Sequence, residues 1–77
     1  MIRSYGTAGG YNMPITVNGK VKSDHPASVA ELLTQLGLDP ARVAVEYNRA
    51  ILPATAFSTT PLKDADELEI VQFVGGG

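Results

Sequence analysis

The chain has 77 residues and no cysteine, so it forms at most one small domain and cannot hold a disulfide framework, a zinc–thiolate site or a cysteine nucleophile. Its formal net charge is −2, and its six lysine and arginine residues are scattered, which argues against the clustered basic surface typical of nucleic-acid binding. No apolar run is long enough to cross a bilayer, and the first residues lack the apolar stretch of a signal peptide. A soluble cytoplasmic protein is therefore expected.

Residues 1–12 differ from the rest of the chain. They hold three of the eight glycines and show no sustained periodicity. We interpret them as a disordered leader, either a natural extension or an expression remnant, with Met13 as a possible true start. The folded domain is then predicted over 13–74, followed by a flexible glycine tail over 75–77.

The domain is predicted to open with a β-hairpin over 14–22. Apolar and polar residues alternate on both sides of Asn18-Gly19. Both turn residues tolerate a positive φ, so two alternating runs around Asn-Gly indicate a hairpin with a type I′ turn.

A helix is predicted over 28–37. Ser28 and Glu31 fit a capping box, in which the Ser28 hydroxyl accepts from the Glu31 amide and the Glu31 carboxylate reaches back to the Ser28 amide. Gly37 is placed to end the helix in the left-handed conformation. The apolar stripe expected to face the core consists of Val29, Leu32, Leu33 and Leu36.

Three further strands are predicted, over 42–47, 50–52 and 67–73, with a turn at Asn48-Arg49 and another over 64–66. One helix beside five strands predicts a two-layer α+β domain. Phe57 is expected to fill the core beneath its loop. The expected core positions in the strands are Ile15, Val17, Val43, Val45, Leu68 and Ile70.

This order of elements, with glycines directly after the last strand, resembles the ubiquitin-like β-grasp fold and, within it, the ThiS family of sulfur carriers for thiamine biosynthesis. The resemblance implies a mixed five-stranded sheet packed on one main helix. It covers residues 13–77 through the order and spacing of short segments, which are 16–19, 29–33, 43–48, 51–53, 64–71 and 74–77.

The chain departs from the family pattern at two positions. Ala65 stands in the last turn, where the family often has glycine. If that position needs a positive φ, alanine costs about 1 kcal/mol, unless the turn is of another type. Ala54 follows Pro53 where the family often has a basic residue, which removes one expected contact with a partner.

The resemblance implies that the carboxylate of Gly77 is the reacting group. A ubiquitin-activating-type adenylating enzyme (ThiF) would activate it with ATP, and sulfide or a persulfide would then displace AMP to leave a thiocarboxylate. Thiazole synthase (ThiG) would receive the sulfur. The chain would be a protein co-substrate rather than an enzyme, with no cofactor of its own, and Gly75 and Gly76 would let the tail enter a narrow channel.

A docking surface for the activating enzyme is predicted beside the tail. Alternation along the last strand puts Val71 and Phe73 on the sheet face away from the helix, and Val74 follows them. An exposed apolar patch next to a reacting group suits partner docking. A bulge near Gln72 would instead turn the first two side chains inward.

The other polar residues receive plainer interpretations. His25 lies in a polar loop without a partner at any recognisable spacing, so we interpret it as a solvated residue rather than a catalytic one or a ligand. The acidic residues near the last turn are expected to form a solvated face without a metal site. They are Asp64, Asp66, Glu67 and Glu69.

Three alternative functions stay open at this point. The small subunit of molybdopterin synthase shares the fold, the tail and the thiocarboxylate, although it typically carries a longer segment before its glycines than the 72–75 segment here. A ubiquitin-like protein modifier would be conjugated to lysines through the same residue. A β-grasp binding module without tail chemistry would keep its function after loss of Gly76 and Gly77.

Overall fold

The structure, a computed structural model, describes residues 13–73. The predictions for 1–12 and for 74–77 lie outside these residues. The elements in chain order are β1 (Ile15–Val17), β2 (Lys20–Lys22), α1 (Val29–Leu36), β3 (Val43–Tyr47), β4 (Ala50–Leu52) and β5 (Glu67–Gln72). Short 3₁₀ turns at Pro40–Arg42 and Ala54–Ala56 were not predicted.

The five strands form one mixed sheet in the order β2-β1-β5-β3-β4. Strand β5 pairs in parallel with β1 and antiparallel with β3, while the two hairpins, β1–β2 and β3–β4, are antiparallel. The predicted mixed five-stranded sheet with one helix is therefore confirmed. The last strand of the chain lies at the centre of the sheet.

Both hairpins close with two-residue turns of positive φ; this was predicted for Asn18-Gly19, whereas for Asn48-Arg49 only a turn was predicted. In the first hairpin φ is 51° at Asn18 and 80° at Gly19, and in the second it is 50° at Asn48 and 73° at Arg49. The Asn18 side chain also bonds across to β5, accepting the Ile70 amide at 2.7 Å and donating to its carbonyl at 3.1 Å. The first turn thereby lengthens the pairing between β1 and β5.

Helix α1 is capped at both ends, with one difference from the prediction. The Ser28 hydroxyl accepts the Glu31 amide at 3.1 Å, and Gly37 ends the helix with φ of 72°. The Glu31 carboxylate, however, accepts the amide of Ala27 at 2.7 Å and not that of Ser28. Residues 27–29 pair with 60–62 through two backbone hydrogen bonds, and this pairing sets the direction in which the chain enters the helix.

The core lies between α1 and the sheet. Phe57 is buried as predicted, and Leu62 joins the core although the sequence did not identify it. Leu36 was wrongly placed in the core, because it is 41% exposed in the last helical turn, and Leu38 after the chain reversal packs there instead. The buried apolar residues are Ile15, Val29, Leu32, Leu33, Val43, Val45, Phe57, Leu62, Leu68 and Ile70, with Val17 packed against them and partly buried.

Ala65 occupies the strained position that the resemblance to the family indicated. Its φ is 66°, and the Asp66 amide bonds the Lys63 carbonyl at 3.1 Å across the turn. Replacing Ala65 with glycine should raise the free energy of unfolding by about 0.5–1 kcal/mol, since glycine relieves the left-handed strain but loses more backbone entropy on folding. Urea denaturation at neutral pH measures the change.

Ala50 provides the matched control for this substitution. It is also exposed, but it lies in β4 without a positive φ. Ala50→Gly should therefore lower the free energy of unfolding by about 0.5–1 kcal/mol. Equal losses of stability in the two glycine variants would contradict the strain at Ala65.

Candidate functional site

The end of β5 is the point from which the predicted reactive tail leaves the domain. Beyond the last strand residue, the Phe73 amide still donates to the Arg42 carbonyl at 2.8 Å. The backbone is therefore held to β3 up to Phe73. Val74, the tail glycines Gly75 and Gly76, and Gly77, whose carboxylate is predicted to react, lie outside the described residues.

The predicted docking residues Val71 and Phe73 are both exposed, by 59% and 54%. The β3–β5 pairing runs without interruption from Val43 opposite Gln72 to Tyr47 opposite Leu68. A bulge that would turn the two side chains inward is therefore not present. Val71 lies on the sheet face opposite α1, which we call the outer face.

Ile51 is a further exposed apolar residue on the outer face. It pairs with Glu46 on β3, and it is 74% exposed, more than any other large apolar side chain in residues 13–73. Two residues nearer the tail than Glu69, Val71 on β5 lies opposite the small residue Ala44 on β3. The name tail-end patch is used below for Ala44, Val71 and Phe73, while Ile51 lies further from the tail, in the row of Glu46 and Glu69. Ile51 was predicted to lie in a strand, and no role was predicted for it.

Two carboxylates adjoin the tail-end patch on the same face. Glu46 and Glu69 lie directly opposite each other on β3 and β5, and both are exposed. Within residues 13–73, no lysine, arginine or histidine nitrogen lies within 4.0 Å of either carboxylate. Like charges placed directly opposite across two strands destabilise a sheet. This pair therefore lowers the stability of the sheet, and no cation of the described residues compensates for it.

Asp66 does not belong to the solvated acidic face, contrary to the prediction. It is 5% exposed, and its carboxylate accepts the Tyr47 hydroxyl at 2.7 Å, the Asn48 side-chain amide at 3.0 Å and the Lys63 backbone amide at 2.7 Å. Burial acts to raise the pKa of Asp66, but the hydrogen bonds from Asn48, Lys63 and Tyr47 outweigh it and hold that pKa below its usual value. Asp66 is therefore a structural carboxylate.

Tyr47 is the counterpart of this buried carboxylate. Burial and the hydrogen bond to Asp66 raise the pKa of Tyr47 to about 12, so the phenol stays protonated and donates at neutral pH. The Asn48 side chain completes the cluster by accepting the Glu67 amide at 2.8 Å. These bonds join the β3–β4 turn to the start of β5, at the end of the strand away from Phe73.

His25 has a partner that the sequence did not reveal. Its Nε2 atom lies 3.7 Å from a carboxylate oxygen of Asp64, and both side chains are partly exposed. The contact joins the loop after β2 to the turn before β5, far along the sheet from Phe73. Among residues 13–73, no three histidine, aspartate or glutamate side chains are grouped to hold a metal ion.

The only α-helix in the described part of the chain, α1, has eight residues. No helix there is long and apolar enough to span a membrane.

Comparison with protein families gives one consistent result. The family model described as the ThiS family matches residues 12–77. The crystal structure of the thiamine biosynthesis protein (ThiS) from Geobacter metallireducens is 39% identical with a TM-score of 0.68, and the match covers 84% of this chain and 100% of that one. A solution structure of a thiamine biosynthesis protein from the same organism is 42% identical with a TM-score of 0.67, covering 84% of this chain and 88% of that one.

Two kinds of curated relative were also found. The uncharacterized protein ycf40 of Pyropia yezoensis is 43% identical over 67 residues, which are 86% of this chain and 94% of that protein. A protein named thiazole synthase from Paramagnetospirillum magneticum is 39% identical over 66 residues, which are 84% of this chain. That match makes up only 20% of the thiazole synthase, so this chain spans about a fifth of its length.

The buried carboxylate generates a prediction about stability and pH. The pKa of Asp66 is lowered in the folded state, so its contribution is present above the unfolded pKa of about 3.9 and is lost as the pH falls through the folded pKa. Asp66→Asn should lower the free energy of unfolding at pH 7 by about 1–3 kcal/mol, because it leaves buried donors without their acceptor. The difference from the parent should shrink below about pH 4.

Urea denaturation over a pH series measures this difference. Asp64→Asn is the control, because Asp64 is an exposed neighbour and should change stability by no more than about 0.5 kcal/mol. A difference between Asp66→Asn and the parent that stayed constant down to pH 2 would contradict the assignment.

Proposed function

Because the chain belongs to the ThiS family, we propose that it is a sulfur carrier for thiamine biosynthesis and that Gly77 is its reacting residue. The observation that carries this proposal is the family match, which continues through the glycines to residue 77. The central strand β5 supports this proposal, because its backbone is hydrogen-bonded to the neighbouring chain as far as Phe73 and the four remaining residues follow directly.

The proposed chemistry begins with activation, because a carboxylate is a poor electrophile. A carboxylate oxygen of Gly77 attacks the α-phosphorus of ATP, which forms an acyl-adenylate and releases pyrophosphate. Sulfide then attacks the acyl carbon, a carbon–sulfur bond forms, and the carbon–oxygen bond to AMP breaks. The product is a thiocarboxylate, a good sulfur nucleophile. ATP and the sulfur donor would bind a ThiF-like adenylating enzyme, so the chain would act as a co-substrate.

The tail suits entry into an enzyme's active site. Four residues follow Phe73, and an extended chain of that length reaches roughly 12–14 Å. Gly75 and Gly76 lack a Cβ atom and can pass a narrow channel closed to larger residues. The domain would then stay outside the active site while the carboxylate reacts within it.

We further propose that thiazole synthase receives the sulfur. Two curated relatives that carry this name contain a segment similar to this chain as about a fifth of their own length. The presence of a segment like this chain in the same polypeptide as a thiazole synthase supports a functional interaction between carrier and synthase. The family match favours this role over the molybdopterin synthase subunit and the protein modifier.

The docking surface is proposed to include Val71, Phe73 and Val74. Val71 and Phe73 are exposed beside the point where the tail leaves β5. An adenylating enzyme that holds the tail must lie against this end of the sheet, since the tail is short.

The reaction at Gly77 is tested by intact mass spectrometry followed by fragmentation. We expect incubation with the organism's adenylating enzyme, ATP and sulfide to replace one oxygen by sulfur at Gly77, because the adenylate is displaced by sulfide. A variant without Gly77 should keep its mass. An unchanged parent chain, with an enzyme that thiocarboxylates another carrier, would overturn the proposal.

Docking of the adenylating enzyme is tested by truncating Phe73. Phe73→Ala should lower kcat/KM for ATP–pyrophosphate exchange by about tenfold, because an apolar anchor of an interface is removed. The control is Val21→Ala, since Val21 is 71% exposed on β2, an edge strand of the sheet. Equal rates for parent and Phe73→Ala would exclude Phe73 from the interface.

A further inference from the structure

The carboxylates of Glu46 and Glu69 are arranged unlike that of Asp66. Asp66 is buried and accepts three hydrogen bonds from the domain. Glu46 and Glu69 instead lie directly opposite each other, exposed, with no cationic group of residues 13–73 within 4.0 Å. Their mutual repulsion destabilises the sheet, and a neutral polar residue at either position would avoid it.

Apolar side chains border this pair. Ile51 on β4 is the cross-strand partner of Glu46. Val71 lies two residues after Glu69 on β5, nearer the tail. Ala44 lies opposite Val71, in the next outer-face row toward the tail. Ile51 is thus in the row of the two glutamates, while Val71 and Phe73 are the exposed large apolar residues nearer the tail.

An exposed apolar surface next to two unpaired carboxylates fits a particular kind of partner. The partner must supply an apolar side chain and a cation, and an arginine suits best because its planar guanidinium donates to two carboxylates at once. Nucleic acids and anionic lipid surfaces would be repelled by the same charges. The complement is therefore a protein surface that is both apolar and basic.

We propose that the outer face at Glu46, Glu69 and Ile51 docks an apolar, basic surface of thiazole synthase. This inference rests on the proposed function. In the two relatives named thiazole synthase, a segment similar to this chain is part of the same polypeptide, and a covalent link supplies a high effective concentration. The joining of the two in one polypeptide supports thiazole synthase as the partner of this surface. The three residues form one row across β5, β3 and β4 on the outer face.

The charged part of this surface is tested with the double variant Glu46→Gln and Glu69→Gln. Titration calorimetry with thiazole synthase from the same organism, without ATP or sulfide, measures docking apart from sulfur transfer. We expect the Kd to rise by about tenfold and its salt dependence to weaken, because charge-assisted contacts are lost. The Tm of the free variant should rise by about 1–4 °C, since the repulsion is removed.

A gain in stability together with a loss of affinity is a result that a purely structural role of the pair would not produce. The control is Asp24→Asn with Asp64→Asn, which changes the net charge equally in the loop after β2 and the turn before β5, outside β3, β4 and β5. It should change the Kd by less than about twofold. An equal loss of affinity in this control would show a general charge effect and overturn the inference.

The apolar part is tested with Ile51→Ser against Val21→Ser, two similarly exposed residues at opposite edges of the sheet. Ile51→Ser should raise the Kd by about tenfold and Val21→Ser by less than about twofold. An unchanged Kd in the glutamine double variant, or no binding of the parent chain to thiazole synthase, would overturn the inference. If Gly77 still becomes a thiocarboxylate in either case, the proposed function stands and only the docking assignment fails.

Discussion

The position of β5 at the centre of the sheet is the constraint on which the rest of the structure depends. The strand pairs with β1 on one side and with β3 on the other. Side chains of both hairpin turns strengthen this pairing, because Asn18 bonds the backbone of Ile70 on one side and Asn48 bonds the Glu67 amide on the other. The two asparagines therefore allow positive φ at the turns and also fix the register of the central strand.

The sequence was sufficient to predict those features of the fold that depend only on residues close together in the chain. The Asn18-Gly19 turn, the Ser28 cap and the Gly37 stop follow from backbone sterics and short-range hydrogen bonds, and all three are present. Asp66 could not be predicted in the same way. Its burial depends on Tyr47 and Asn48, which lie 19 and 18 residues away, and no local pattern distinguishes it from an exposed turn residue.

The exposure of Ile51 was not predicted, although the sequence contained the information needed to predict it. A two-residue turn at 48–49 fixes the register of its hairpin, so Ile51 must lie opposite Glu46. Since Val45 and Tyr47 point inward, Glu46 and Ile51 must point outward. The reacting residue Gly77 stays a prediction that rests on the family resemblance, whereas the arrangement of the outer face required the register of three strands.

Central placement of β5 also suits a domain whose tail is drawn into another protein. A strand at the edge of a sheet is held by one row of hydrogen bonds and could peel away when its end is pulled. Strand β5 is held by rows on two sides, and the bond from the Phe73 amide to the Arg42 carbonyl continues the second row to the start of the tail. A protein that binds the tail as proposed would then leave the strand before it paired on both sides. The outer face beside that strand would keep its arrangement for docking.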